Sequence, residues 1–308
     1  MSSEAPSDAR RADAVLVSIT ALWGLTFVVV KDALALADPF TFLALRFTLG
    51  AALLTLAAWR GMGKPSLVRA GVGLGLLLFV GFAAQTAGLQ FTTPSRSAFL
   101  TGLSVLLVPF LSVAVHRRRP PPASLLGVAL AVSGLWAFAG GTSLGVTAGL
   151  GLGDWLTLLC ALAFALQLTL LEQLARLHAP APLVAVQLWT VAALAVGAVL
   201  AFGPRLQPSW PLWSAVLITG VGATAVALLL QAWAQARTTA VRAALVYALE
   251  PVFATAYSLA LGREKLGHRE LLGGGLILAG VLVSELGPLG WNRASRALGT
   301  ARRRPGPV

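Results

Sequence analysis

Ten times along its length the chain presents an apolar run long enough to cross a bilayer as a helix. That repetition constrains the fold more than any other feature. A spanning helix needs roughly 20 apolar residues. The runs predict helices over 14–36, 40–59, 70–90, 95–115, 123–140, 154–175, 182–202, 210–236, 240–261 and 270–287. A transmembrane barrel would show alternating segments of about 10 residues. These runs do not alternate, so the expected fold class is all-α integral membrane. Only 11% of residues are charged and the mean hydropathy is +0.82. Soluble domains carry about 25% charged residues, so this chain cannot coat a water-facing surface. The breaks have local causes: Asp38-Pro39, Gly61 to Pro65, the run His116 to Pro122, Gly203-Pro204 and Gln207-Pro208.

Charge sets the expected orientation. The net charge of +12 would raise nucleic acid as a partner for a soluble chain. Here the basic residues fall in loops and tails, where the positive-inside bias accounts for them, and no nucleic-acid partner is expected. With the N-terminus cytoplasmic and ten spans, 16 of the 23 Lys and Arg fall inside, 6 fall outside and Arg46 lies within the second helix. Both termini are therefore expected in the cytoplasm. The loop over 262–270 runs against the bias with Arg263, Lys265 and Arg269. Arg10-Arg11 precedes a run too long for a signal peptide, one that holds Trp23 and Lys31, so a retained helix is expected. Residues 1–13 and the basic segment 288–308 read as cytoplasmic tails. The single cysteine, Cys160, cannot form an intramolecular disulfide.

The chain repeats itself. Shifting residues 85–139 by 146 positions needs no gap and gives 14 identities in 55 positions. Gln85 falls on Gln231, Thr92-Thr93 on Thr238-Thr239, Arg96 on Arg242, Leu103 on Leu249, Gly127 on Gly273 and Gly134 on Gly280. Helices one and six agree more faintly at a shift of 141: Asp13 on Asp154, Trp23 on Phe164, Lys31 on Glu172. The expected units are a five-helix repeat over 14–140 and a second over 154–287. Five is odd, so the second copy enters the membrane from the opposite side. Inverted repeats of this kind recur in transporters, with the substrate near the midplane between the halves.

No hydrolytic or metal-ligating constellation is visible. His116, His178 and His268 lie in expected loops, and no Gly-rich phosphate loop follows a strand. No catalytic residue, metal or cofactor is expected, and the chain does not read as an enzyme. Candidate substrate-binding residues are polar or aromatic groups deep within spans: Trp23, Gln85, Gln167, Gln231, Trp233 and Tyr247. Helix nine has a stripe of Tyr247, Glu250, Ala254 and Tyr257 on one face. Glu250 lies near the bilayer midplane, where a charge costs about 2.5–3.5 kcal/mol on insertion scales. It is the coupling candidate, for protons or for a cationic group; a structural role beside Pro251 is the alternative. Gln85 and Gln231 suit either a binding pair or interhelical bonds. Arg46 suits snorkelling, pairing with Asp38, or a substrate carboxylate. Lys31 and Glu172 read as snorkelling residues or gates. Arg96 and Arg242 oppose the dipole of the helices they start, which the sequence alone does not explain.

These residues resemble the drug/metabolite transporter superfamily and, within it, the EamA-type family. The resembling pieces are Ala21-Leu22-Trp23-Gly24, Leu45-Arg46-Phe47, Thr92 through Leu100, Gly153-Asp154, Glu250-Pro251-Val252-Phe253 and Leu261-Gly262-Arg263-Glu264-Lys265-Leu266. Together they cover residues 14–287. The family often reads Gly-Glu where this chain has Gly262-Arg263-Glu264. The resemblance implies two inverted five-helix repeats around a central cavity and export of amino acids or other small metabolites. The expected partners are a small-molecule substrate, the lipid bilayer and, as a coupling ion, protons. The expected location is the inner (cytoplasmic) membrane of a bacterium. A sugar-phosphate or nucleotide-sugar carrier, a membrane enzyme and a lipid-handling subunit are the alternatives. Cargo, direction and oligomeric state are not written in the sequence.

Overall fold

The computed structural model describes residues 6–117, 120–138, 150–262, 267–269 and 271–284. The expected C-terminal tail over 288–308, the charged residues Arg118 and Arg119, and loop residues 263–266 lie outside the described residues. Everything described is helix and connecting turn, apart from one isolated antiparallel bridge between Ala37 and Leu206. Eight helices are long and apolar enough to span a membrane. They are α1 (Arg11–Ala33), α2 (Pro39–Gly61), α3 (Pro65–Leu89), α4 (Arg96–His116), α6 (Leu152–Leu177), α7 (Pro180–Phe202), α8 (Trp210–Gln235) and α9 (Ala240–Ala260). Two shorter apolar helices, α5 (Pro122–Ala137) and α10 (Leu271–Ser284), complete the ten.

Helix starts follow backbone chemistry. Pro39, Pro65, Pro94 and Pro180 each sit in a first turn, where their missing N–H is one the helix could not have paired. This explains one displaced boundary. The sequence reading took Gly61 to Pro65 as a breaker and began the third helix at 70, whereas Pro65 begins it. The first helix, expected over 14–36, also runs earlier, over Pro6–Ala33. Asp38 caps α2, accepting from the Phe40 and Thr41 amides at 3.0 Å each. Its other oxygen accepts from the Arg205 amide at 3.0 Å. The backbone beside it donates from Asp38 to Arg205 and from Gln207 to Leu36. One carboxylate thus ties the α1–α2 turn to the α7–α8 loop.

The outside of the bundle is apolar. Leu56, Leu200 and Phe202 are 80%, 82% and 76% exposed, which is what a face solvated by lipid tails requires. The polar side chains are inside: Arg46, Gln167, Gln187, Gln231, Gln235 and Glu250 are all buried. Trp155 and Trp210, exposed near helix ends, suit an interfacial belt.

The halves are packed reciprocally. In the register of the 146-residue shift, Gly127 is the mate of Gly273 and Gly134 of Gly280. The contacts cross over. A Cβ added at Gly127 would lie 2.6 Å from the Gly280 carbonyl oxygen, and one at Gly134 would lie 2.6 Å from that of Gly273. An approximate twofold axis relating α5 to α10 produces this exchange, and small residues permit the close approach that drives association in lipid. The same symmetry appears in two helix breaks. α4 is interrupted at Leu103, between Pro94–Gly102 and Ser104–His116. α9 is interrupted at its mate Leu249, between Ala240–Tyr247 and Glu250–Ala260.

Two outcomes follow. Burial acts to raise the Asp38 carboxyl, but hydrogen bonds from Thr41, Arg205 and Phe40 outweigh it and hold the group below its ordinary 3.8. A depressed carboxylate stabilises the fold above the unfolded-state value and loses that contribution as pH falls through the folded value. Asp38→Ala should therefore cost about 1 kcal/mol at neutral pH in thermal unfolding, with the gap to wild type closing below pH 3.8. Gly280→Ala should lower the melting temperature, because its Cβ would meet the Gly127 oxygen at 2.5 Å. Gly275→Ala, with open space around it, should hold or raise it by up to about 1 kcal/mol of helix propensity.

Candidate functional site

The two broken helices meet at mid-depth. The breaks end the half-helices at Gly102 and Tyr247 and begin the next at Ser104 and Glu250, so four termini cluster where an unbroken helix would show only side chains. A central cavity opens beside them. Its wall comes in repeat mates. Trp23 faces it with Phe164, Thr26 with Gln167, Phe27 with Leu168, Phe82 with Leu228, Gln85 with Gln231, Thr101 with Tyr247 and Ser104 with Glu250. The remaining lining residues, Arg46 and Leu78, correspond at the same shifts to Gln187 and Thr224. These stand just behind the wall, hydrogen-bonded to Gln167 and Arg46 respectively. The cavity therefore straddles the twofold axis.

Arg46 is positioned by three neighbours. Its Nε donates to the Thr224 hydroxyl at 2.6 Å. Its guanidinium carbon lies 4.9 Å from the Phe82 ring centroid and 5.4 Å from that of Phe47, within cation–π range. Thr224 lies within Ile218–Val226 of α8, which winds as a π-helix, a form that concentrates at functional sites. Gly220, in the same segment, crosses α2 so closely that a Cβ would lie 3.0 Å from the Arg46 carbonyl oxygen. The π segment also leaves the Ala223 carbonyl to accept from Trp23 Nε1 at 2.9 Å. Trp23 stands edge-on to Tyr247, with centroids 5.2 Å apart, as Phe82 does to Phe164 at 5.0 Å. Gln85 donates to the Thr101 hydroxyl at 3.2 Å. Arg46 neither snorkels nor pairs with Asp38. It is 3% exposed and Asp38 is committed to its cap.

Of the residues singled out from sequence, Trp23, Gln85, Gln167, Gln231, Tyr247 and Glu250 all line the cavity. Trp233 does not. It follows Gln231 by two positions, which turns it to the other side of α8. Its ring carries the Arg237 guanidinium at 4.3 Å and its carbonyl accepts from Arg237. Gln235, further along α8, donates to the Leu168 carbonyl at 3.0 Å. Thr101 and Ser104 were not singled out. The signal for them was the repeat, since they lie 146 positions before Tyr247 and Glu250.

Each end of the bundle is closed by a pair made between halves. Arg96 holds Asp154 with two hydrogen bonds, Nε–Oδ1 at 2.6 Å and Nη2–Oδ2 at 2.8 Å. Arg242 holds Asp13 at 2.9 Å. Arginine mates pair with aspartate mates, each across the interface, at opposite ends. This is the reason for two arginines at helix starts: each answers a carboxylate of the other half. Thr93 and Thr239 cap the same helices by accepting from the Arg96 and Arg242 amides. Lys31 does not snorkel. Its ammonium donates to the carbonyls of Leu89 and Thr92 at the end of α3. Its mate Glu172 accepts from the Ala240 amide at the start of α9. Opposite charges thus serve opposite helix ends, each with the favoured dipole sign.

An EamA-like transporter profile matches residues 10–139 and again residues 151–286. The chain belongs to the EamA-like transporter family. The double match is the two repeats. An uncharacterized transporter of Archaeoglobus fulgidus is 32% identical over 275 residues, covering 89% of this chain and 86% of the relative. A second uncharacterized transporter of that organism is 29% identical over 275 residues. A crystal structure of another protein superposes with a TM-score of 0.73 at 21% identity, over 90% of this chain and 98% of that one, which shows the fold. The family and the names of its members make this multi-pass membrane protein a transporter.

The end pairs can be tested by exchange. Asp154→Asn should cost about 1–3 kcal/mol, the range for a hydrogen bond to a charged partner, in thermal unfolding of the purified protein. The double exchange Arg96→Asp with Asp154→Arg should recover part of that loss. If the single and double variants melt alike, the pair contributes nothing to holding the halves together.

Proposed function

We propose that this chain is a secondary active transporter that exports small metabolites, amino acids among them, by alternating access. The repeats over 14–140 and 154–287 form the two inverted halves. The tails over 1–13 and 288–308 lie in the cytoplasm, and the membrane is the bacterial inner membrane. One observation carries the reading: a cavity on the twofold axis, with an arginine–aspartate pair between the halves at each end. Two copies of opposite orientation can exchange conformations, so one end opens as its pair parts while the other stays latched. Substrate contacts are assigned to Trp23, Gln85, Gln167, Gln231 and Tyr247, with Glu250 coupling transport to protons. A proton and a cationic group of the cargo would then compete for one carboxylate.

A sugar-phosphate or nucleotide-sugar carrier is disfavoured. Cargo with two or more negative charges calls for several inward cations, and Arg46 is the one cation among the described lining residues. A membrane enzyme would need a nucleophile with an adjacent base, and the described lining does not offer that pairing.

Reconstituted into liposomes, wild type should move cargo at a rate that depends on pH. Glu250→Gln should lose that dependence and at least about tenfold of the gradient-driven rate. Asp154→Asn and Asp13→Asn should shift labelling of a cysteine placed at residue 85 in opposite directions between externally and internally added reagent. Unchanged transport in Glu250→Gln removes it from coupling; equal labelling from both sides in all variants removes alternating access.

A further inference from the structure

Two ionisable side chains of opposite sign face the cavity, and the protein neutralises neither. Arg46 is 3% exposed and Glu250 is 8% exposed. Among the described residues, the salt bridges within 4.0 Å involve neither of them. Arg46 uses its Nε–H on Thr224 and rests its guanidinium against two phenylalanine rings. Its Nη donors are left for the cavity it lines. A guanidinium fixed at Nε and braced by two rings is a fork held ready for a planar anion such as a carboxylate. Glu250 likewise makes no hydrogen bond or ion pair within the described protein and faces the same space.

The twofold symmetry sharpens this. Almost every lining position has a mate of similar character across the axis. At two positions an ionisable group faces a neutral mate. Arg46 corresponds to the neutral Gln187, and Glu250 to the neutral Ser104. The wall is therefore built mostly from repeat mates but carries one basic and one acidic pole. Buried charges without partners are costly, and no opposite charge of the described protein lies within 4.0 Å of either. Their cost is recovered when a ligand supplies the missing opposite charges.

We infer that the cavity selects a dipolar ligand, its anionic group held by Arg46 and its cationic nitrogen by Glu250, with Arg46 the residue that decides for the anion. The rings of Trp23, Phe82 and Phe164 receive an apolar skeleton between the poles. This rests on the transporter reading of the cavity and narrows its cargo.

The test uses purified full-length protein and two sets of matched probes: phenylalanine, phenethylamine and 3-phenylpropanoate, then leucine, isoamylamine and 4-methylpentanoate. Binding is read by calorimetry and by thermal shift. In at least one set the zwitterion should bind about tenfold or more tighter than either singly charged relative. Arg46→Gln should weaken the zwitterion and the acid about tenfold while leaving the amine within about twofold. Glu250→Gln should do the reverse. Arg46→Lys should keep the preference for acid over Arg46→Gln, with weaker binding than wild type. Should Arg46→Gln fail to fold, Arg46→Lys and the wild-type ranking still decide. The inference is overturned if neither zwitterion binds at about 10 mM, if the amine matches the zwitterion in wild type, or if Arg46→Gln weakens all probes alike. A wild type indifferent to probe charge, whose cysteine labelling still alternates, would sink the dipolar ligand and leave the transporter standing.

Discussion

A polar group in hydrocarbon must find a partner inside the protein, and this single requirement organises the molecule. It makes every described segment within the span helical, because only a helix satisfies its own backbone. It also decides where helices can start and stop. Several termini are answered by side chains: Asp38 and the paired threonines Thr93 and Thr239 at helix starts, Lys31 on the last carbonyls of α3. Charges also meet at the ends, where Arg96 and Arg242 hold Asp154 and Asp13. At the centre a basic and an acidic side chain, Arg46 and Glu250, line the cavity with no opposite charge of the described protein within 4.0 Å.

Symmetry turns that requirement into a machine-like arrangement. Because each repeat cannot pair its own Arg with its own Asp, the two copies hold one another, once at each end. The α5–α10 crossing does the same with glycine carbonyl contacts rather than charge. Both arrangements are reciprocal, so a motion of one half that loosens one end has a mirror motion that loosens the other.

Much of this was legible in the sequence. The helices were set by long apolar runs against prolines and glycines. The symmetry was set by Gln, Thr-Thr and Arg recurring in one register. The pairing of Arg96 with Asp154 was not legible, because two separate shifts, 146 for one pair of helices and 141 for another, had to be combined before either partner was brought to the other. Arg46 was left between three readings for a different reason. Nothing local says that α8 departs from α-helical winding at the segment that carries Thr224, its hydrogen-bond partner. Trp233 failed for the converse reason: depth in the membrane was read correctly, but a two-residue step from Gln231 turns a side chain away. Depth is a property of hydropathy, whereas facing depends on helix phase and on every local departure from it.

The helix breaks at Leu103 and Leu249 show how the centre could become polar at all. Leucine is not a breaker, and Leu103 is followed by no proline in its own turn. What the two sites share is position, mid-span on the twofold axis, where the facing broken helix and the cavity wall supply polar neighbours that lipid would not. Broken backbone at membrane depth is tolerated only beside such a cavity. In α9 the break is fixed by Pro251, which cannot donate to the preceding turn and so makes Glu250 the first residue of a new half-helix. A carboxylate there faces the amide end of that half-helix, which favours negative charge. The asymmetry between Glu250 and Ser104 is thus written on a symmetric scaffold at the one pair of positions where backbone geometry already supports an anion, and that is where a chemical preference can be added without disturbing the exchange between halves.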